Sequence, residues 1–490
     1  MHGNNLELRR FINLILPVAL FLTIVITPRD FAISHSSNGN FQVVVKSITW
    51  EPEDITVGTS CIIRITLKCS GEARYVETRF YVVKYSLDGL SKPTRISTLV
   101  TPIINGIARI NVSWKPMFPG FYRLIFSTNL SVSIRQTIFV NNGYKTFRFI
   151  VCGDCRPARP NDPIPETFKK LINVVNLIRP DFLIIAGDLI YGYHATGRNL
   201  ERQYLEFDKC INACIVPVIT AVGNHDTKTG RRHGSGDPYA EQLYIRLYGR
   251  LYYSFNVGNT HIIILDTDVV GSAVEIKGTE QGLWLENDLK QHGSCNPIFV
   301  IMHRPVVGGP SGWSREDIEY LTNLFTKHRV NAVFQGHIHL YRNISYRGVT
   351  YYITGGAGAP LGGKPINGGI HHFLLVEVNG SSFKVKFYPI DVIRVHYYPA
   401  NNGRHYVVSA SVSLLFATPI KVSGKYVRPE PLRLDGVRFI MPIAIGYVVE
   451  GGRIVKVIRR QMYCIVYVSA LVNPGSTRNI RIIAVREPEI

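Results

Sequence analysis

Between Phe147 and Ile390 one pattern returns five times: a short apolar run ends in a turn, usually containing glycine, and the turn carries a side chain able to hold a metal. FRFIVCG is followed by Asp154, DFLIIAG by Asp188 and then Tyr191, PVITAVG by Asn224-His225-Asp226, IFVIM by His303, and AVFQG by His337-Ile338-His339. Amphipathic stretches separate the runs, and this alternation predicts buried strands exchanging with helices, an α/β segment. Open α/β sheets bind ligands at the carboxyl ends of their strands, where these turns fall. One helix is expected to open at Ser314, with Asp317 at capping-box spacing. Another is expected to end at Arg179-Pro180, because proline cannot continue it.

Each of these residues alone has an ordinary explanation. A single Asp after a strand is usually a turn former or helix cap, and a single His is usually a satisfied core or surface group. Their succession is what argues. Together they supply two carboxylates, a carboxamide, a phenol and three imidazoles, a set suited to two adjacent cations. Hard oxygen donors mixed with imidazole fit Fe, Mn or Zn, and the absence of thiolates argues against a structural zinc. A carboxylate shared by two ions about 3.5 to 4 Å apart would let both clamp a phosphoryl group. His225, beside Asn224, is left free for proton transfer.

The order of residues resembles the calcineurin-like metallophosphoesterase superfamily, whose motifs run D, G-D, G-N-H-[DE], H, G-H-x-H. Here these are Asp154, Gly187-Asp188, Gly223-Asn224-His225-Asp226, His303 and Gly336-His337-Ile338-His339. The chain is most similar to the purple acid phosphatase branch, through G-D-x-x-Y at Gly187 to Tyr191 and V-x-x-H at Val300 to His303. The resemblance extends to Gln281-Gly282-Leu283-Trp284-Leu285 and Thr354-Gly355-Gly356. It implies an α+β sandwich core holding two metal ions, Fe with Fe, Zn or Mn. One would be held by Asp154, Tyr191 and His339, the other by Asn224, His303 and His337, with Asp188 bridging. It also implies that a metal-bound hydroxide attacks a phosphate ester, that His225 protonates the leaving oxygen, and that Asp226 orients His225 by a hydrogen bond. Arg156 is a candidate phosphate clamp; the bland alternative is a structural ion pair.

Two departures qualify the likeness. The first motif reads Asp154-Cys155-Arg156, where many relatives have D-x-H, and arginine cannot ligate a metal; the tyrosine of the purple branch takes that place. The stretch Arg304 to Lys327 lacks the further histidines common in that branch. His194 and the basic loop Arg231-Arg232-His233 could compensate, although such loop residues are ordinarily just solvated.

The flanks have other rhythms. Arg9 and Arg10 precede FINLILPVALFLTIVIT (Phe11 to Thr27), in which only Asn13, Thr23 and Thr27 are polar. This reads as a signal peptide or membrane anchor over 1–33, with 34–40 a linker and the bulk of the chain extracytoplasmic, secreted or tethered. The sequons at Asn111, Asn129, Asn343 and Asn379 are compatible with export. Residues 41–145 show short β-branched and aromatic runs, a sandwich pattern of the immunoglobulin or fibronectin kind. Residues 146–390 form the catalytic segment and 391–490 a second all-β segment.

From Asp391 onward 14 Lys/Arg stand against 6 Asp/Glu, so about +8 of the formal +20 lies there. A solvated face is the ordinary reading of such an excess. Of the eight cysteines, Cys61 and Cys69 end one strand and are too far apart to bond. Cys152-x-x-Cys155 brackets an Asp at a strand end and does not read as a redox or zinc motif.

The reading favours hydrolysis of phosphate monoesters. Its rivals are a phosphodiesterase with the same metal centre and a non-catalytic surface protein binding anionic polymers. Nucleic acid is not the expected partner, because the export segment disfavours work on cytoplasmic DNA.

Overall fold

The computed structural model describes residues 43–86, 89–141, 143–230, 235–272 and 274–486. The expected signal or anchor and the loop Arg231-Arg232-His233 lie outside them. Among the described residues no helix is long and apolar enough to cross a membrane.

Two sheets stack at the centre. In the first, Val218–Ala221, Phe182–Ala186 and Thr146–Cys152 run parallel, and His372–Asn379 and Ser382–Pro389 continue the sheet antiparallel. The second has six strands in the order Tyr253–Val257, Thr260–Ile264, Ile298–Met302, Ala332–Gln335, Val349–Thr354, Tyr341–Tyr346, parallel in the middle and antiparallel at both margins. The parallel strands are predominantly apolar because both of their faces are covered. Alternation along a strand divides the work. Phe149 and Val151 enter the core between the sheets with Phe182, Phe299 and Phe334, while Ile150 and Cys152 face the helices Glu166–Ile178 and Gly197–Ile211. The Phe149 and Phe182 rings stack at 4.9 Å, and deleting either would cost about 3 to 5 kcal/mol. Helices Glu280–Gln291 and Arg315–Lys327 cover the outer face of the second sheet. The result is a helix–sheet–sheet–helix stack.

The local signals read in the sequence act as expected. Ser314 caps Arg315–Lys327, its hydroxyl accepting from the Asp317 N–H at 2.9 Å. Glu166–Ile178 ends at Arg179, which turns into the left-handed region (φ 55°) ahead of Pro180.

Residues 43–140 form two antiparallel sheets around one apolar core. Cys61 and Cys69 lie at opposite ends of one strand, and all eight cysteines are free. Gln242 ties this part to the α/β sheets by exchanging hydrogen bonds with the Val45 backbone at 2.8 and 3.1 Å. Residues 393–485 are again strands, but their inner face does not close on itself. Val437, Phe439, Val466 and Val468 join the same buried cluster as Phe168, Leu171 and Val175 of Glu166–Ile178. Arg148, in the strand leading to Asp154, pairs with Asp435 at 2.6 Å across that junction.

Candidate metal centre

The five turns emerge from the carboxyl ends of Thr146–Cys152, Phe182–Ala186, Val218–Ala221, Ile298–Met302 and Ala332–Gln335. Parallel pairing puts these ends on one edge of each sheet, and stacking brings the two edges together. Asp154, Asp188, His303 and Asp226 are almost wholly buried, and Asn224 and His225 nearly so.

Close approach makes glycine necessary. A Cβ on Gly187 (φ 81°) would lie 2.5 Å from His303 Nδ1; one on Gly336 would lie 2.5 Å from the Ala186 carbonyl and 2.8 Å from Asp154 Oδ2. Asp154, Asp188 and His337 themselves take left-handed backbone (φ 60°, 57° and 69°). Such strain costs roughly 1 to 2 kcal/mol per residue and collects at functional sites.

The side chains gather into two sets. In the first, Asn224 Oδ1 lies 2.9 Å from His303 Nε2 and 2.8 Å from His337 Nδ1, and those two nitrogens are 3.3 Å apart. In the second, donor atoms of Asp154, Asp188 and His339 all lie within 4.8 Å of one another, with His339 Nε2 3.4 Å from Asp154 Oδ1. Asp188 belongs to both neighbourhoods, since its Oδ1 is also 3.2 Å from His303 Nε2.

The backbone fixes how the imidazoles face. His303 Nδ1 donates to the Ala186 carbonyl at 2.9 Å and His339 Nδ1 to the Pro360 carbonyl at 2.6 Å, so each turns Nε2 inward. Metal-ligating histidines are oriented in this way. Asp154 Oδ1 is buried and accepts no hydrogen bond, with His339 Nε2 standing 3.4 Å away, a costly arrangement for a carboxylate oxygen. Inward lone pairs, a buried carboxylate oxygen that accepts no hydrogen bond and a mixed N/O donor set fit two cations of the Fe, Zn or Mn type.

Electrostatics follow the packing. Burial alone would raise the Asp188 carboxyl, but His303, His225, Arg156 and His337 outweigh it and hold it well below the usual carboxylate range. Burial, then His303 and Arg304, push the His337 imidazole down to about 2. Burial also lowers His225, against the pull of Asp188.

The remaining expected residues are placed as follows. His225 donates its backbone N–H to Asp188 Oδ1 at 3.0 Å, and its Nε2 is 3.9 Å from Asp188 Oδ2. Arg156 Nε stands 3.4 Å from Asp188 Oδ2. Tyr191 is partly exposed at the rim, its ring 5.4 Å from that of His225 and 5.7 Å from the Arg156 guanidinium. Its phenol makes no hydrogen bond to Asp154 or His339 among the described residues. His194 is exposed, in left-handed backbone.

The expected bond from Asp226 to the His225 ring is not made. His225 Nδ1 pairs with the Tyr191 carbonyl instead. Asp226 accepts the backbone N–H groups of Asp188 (3.0 Å), Leu189 (3.0 Å) and Gly223 (2.8 Å). Both of its oxygens are occupied by amides of two turns, so it clamps those turns and positions Asp188 rather than the imidazole.

Two neighbours escaped the sequence reading. Tyr193 accepts from Asn224 Nδ2 at 3.0 Å and donates to the Thr229 carbonyl, its ring 4.4 Å from that of His225. Arg304 is buried, bonded to Asp268 Oδ1 at 2.6 Å and 3.5 Å from His337 Nε2. Their only sequence signal is adjacency to Tyr191 and His303.

Comparison with known proteins bears on this geometry. A family model described as calcineurin-like phosphoesterase matches residues 147–341. The chain is 24% identical over 250 residues to the serine/threonine-protein phosphatase CPPED1 of Rattus norvegicus, covering 46% of this chain and 73% of that protein. It is 37% identical over 103 residues to the probable purple acid phosphatase 20 of Arabidopsis thaliana, covering 19% of this chain and 23% of that one. Among solved structures, one described as the structure of PhoD covers 77% of this chain and 91% of its own, with a TM-score of 0.46 and 11% identity.

Proposed function

This chain belongs, through residues 147–341, to the calcineurin-like metallophosphoesterase superfamily, with similarity to purple acid phosphatases, and on that premise we propose that it is an exported dinuclear-metal hydrolase of phosphate monoesters. The observation that carries the proposal is the meeting of two donor sets around Asp188, beside a buried Asp154 Oδ1 that accepts no hydrogen bond. Asp154, Tyr191 and His339 would hold one cation and Asn224, His303 and His337 the other, with Asp188 between them. A cation pair bound there would polarise the phosphoryl oxygens and supply a water nucleophile near neutral pH.

The chain's own residues do the rest. The Tyr191 carbonyl holds His225 Nδ1 and so leaves Nε2 toward the substrate side. Burial lowers the pKa of that imidazole, which makes its protonated form the stronger acid toward a leaving oxygen. Arg156, held beside Asp188, offers its guanidinium to the phosphoryl oxygens. Asp226 keeps the Asp188 and Gly223 turns at fixed separation. Tyr193 and Thr229 fix the carboxamide of Asn224 so that Oδ1 faces the two imidazoles. The name phosphatase borne by the relatives supports a monoester over a diester. Arg9-Arg10 and the apolar run to Thr27 support export, and the sandwich-like segment before the catalytic part, of the immunoglobulin or fibronectin kind, would serve as a spacer or recognition module.

The test compares p-nitrophenyl phosphate with its bis ester on protein reconstituted with Fe, Mn or Zn, together with metal counting and a visible spectrum. Faster monoester turnover, two ions per centre and a tyrosinate-to-ferric absorption lost in Tyr191→Phe are expected. Preference for the bis ester would make it a phosphodiesterase. Turnover of neither, with polyanion binding that survives chelation, would make it a binding protein.

A further inference from the structure

The bulkiest fully buried side chain among the described residues is a charged one. Arg304, next in the chain to His303, is 1% exposed, and its partner Asp268 is 0% exposed. Arg304 Nε donates to Asp268 Oδ1 at 2.6 Å. Taking such a pair out of water costs about as much as its attraction returns, and apolar groups of similar volume often hold a fold as well. What the pair supplies is direction, because a guanidinium is a rigid planar fork whose donors point along fixed lines.

That fork is aimed at the neighbouring turns. Its Nη2 donates to the Gly230 carbonyl at 3.0 Å and its Nη1 to the Ser311 carbonyl at 3.1 Å, while the Arg304 backbone N–H reaches Thr267 Oγ1 at 3.1 Å. Asp268 Oδ1 also accepts from Thr229 Oγ1 at 2.8 Å, and the Asp268 carbonyl accepts from Thr227 Oγ1 at 3.1 Å. Thr227, Thr229 and Gly230 continue the turn that carries Asn224. From there the line runs inward. Tyr193 donates to the Thr229 carbonyl and accepts from Asn224 Nδ2 at 3.0 Å, which leaves Asn224 Oδ1 against His303 Nε2 and His337 Nδ1. Backbone carbonyls turn His303 and His339; behind His337 the guanidinium stands instead, its Nη1 3.5 Å from Nε2.

We propose that the Arg304–Asp268 pair is the positioning unit of the Asn224–His303–His337 donor set, an assignment that rests on the metal-centre reading above. Arg304 is too deeply enclosed to touch a substrate and acts through other groups. It fixes the separation between the His303 turn, to which it belongs, and the Asn224 turn, which it grips at Gly230 and, through Asp268, at Thr229. Asp154 and His339 receive none of these bonds, so the effect is confined to one cation.

The test titrates the metal-stripped full chain with Zn²⁺ against a chromophoric chelator and follows melting temperature alongside. Arg304→Lys keeps a charge opposite Asp268 but gives up the fork. It should weaken one of the two ions by roughly 10- to 100-fold and leave the other at wild-type affinity. In an Asp154→Asn background, which isolates the Asn224 ion, the same loss should fall on the ion that remains. Arg304→Met/Asp268→Val removes both charges; its melting temperature should stay within about 4 °C of the wild type while that ion is lost. The control is Arg135→Lys, at the largely buried pair with Asp208 (2.9 Å) that joins the N-terminal sheets to the helix Gly197–Ile211; it should lower the melting temperature and change neither affinity. Wild-type affinity for both ions in Arg304→Lys and in the double variant overturns the proposal. So does an equal loss of both ions, or a loss that Arg135→Lys reproduces at the same drop in melting temperature. A wild type that takes up no ion refutes the metal centre, and this assignment with it, whereas two ions in the wild type and an unaltered Arg304→Lys refute the assignment alone.

Discussion

Replacing Gly187 by alanine should damage the candidate centre far more than it damages the fold. The added methyl would lie 2.5, 2.7 and 2.9 Å from Nδ1, Cγ and Cβ of His303. Ordinary contact begins near 3.4 Å, so the ring must retreat by about 0.9 Å. It has nowhere free to go, because His303 is fully buried and its Nδ1 is held by Ala186. Retreat carries Nε2 away from Asn224 Oδ1 and Asp188 Oδ1, now at 2.9 and 3.2 Å. Overpacking costs about 1 to 3 kcal/mol and an alanine at φ 81° about 1 to 2 more. A misplacement of about 1 Å at the reacting groups costs on the order of 100-fold in rate.

The assay is kcat/KM on p-nitrophenyl phosphate beside metal content, with Gly278→Ala as control. Gly278 shares the left-handed backbone (φ 75°), but nothing lies within 4 Å of its added Cβ. Gly278→Ala should lose a little stability and no activity, and Gly187→Ala should lose roughly 100-fold activity and one ion. If Gly187→Ala retains full metal and activity within about threefold, the placement of His303 against that turn is wrong.

Other outcomes follow from the same geometry. His225→Ala should lower kcat roughly 100- to 10,000-fold with metal content unchanged, since neither donor set includes its ring; a matching loss of metal would refute a proton-transfer role. Asn224→Ala removes the oxygen shared by His303 and His337, and elemental analysis should find one of the two ions gone while Asp154, Asp188 and His339 keep the other. Burial pushes the His372 imidazole from 6.5 down to about 4, and its Nε2 is buried without a partner. The unfolded chain therefore takes the proton first as pH falls, and stability drains away between about pH 6.5 and 4, by about 2 kcal/mol at pH 5. His372→Leu should flatten that part of the pH–melting curve, and an unchanged curve would contradict it.

Much of the α/β segment was legible from order alone. A strand buried on both faces is predominantly apolar, and a turn that brings backbone against backbone must carry glycine, so FRFIVCG, DFLIIAG and AVFQG announce both strand and turn. Caps such as Ser314 and stops such as Arg179-Pro180 are equally local, resting on hydrogen bonds and torsions within a few residues. The candidate donors could be named for the same reason, since each follows its strand directly.

What each donor touches was not legible, because contact depends on how two sheets stack. Asp226 stands beside His225 in sequence, yet its oxygens meet the amides of Asp188, Leu189 and Gly223. Arg304 gives no local hint that it will be buried against Asp268 and near His337. The C-terminal strands looked like a self-contained unit, but their apolar face is completed by the helix Glu166–Ile178. His261 meets Asp288 at 2.8 Å across 27 positions of chain, and no spacing rule links them. Chain order determined which residues reach the carboxyl edge of the sheets, because strand and turn are short-range structures. Only the packing of the two sheets and their helices decided which atoms face one another, because hydrogen bonds and ligation need ångström-scale contact between segments that share no local sequence.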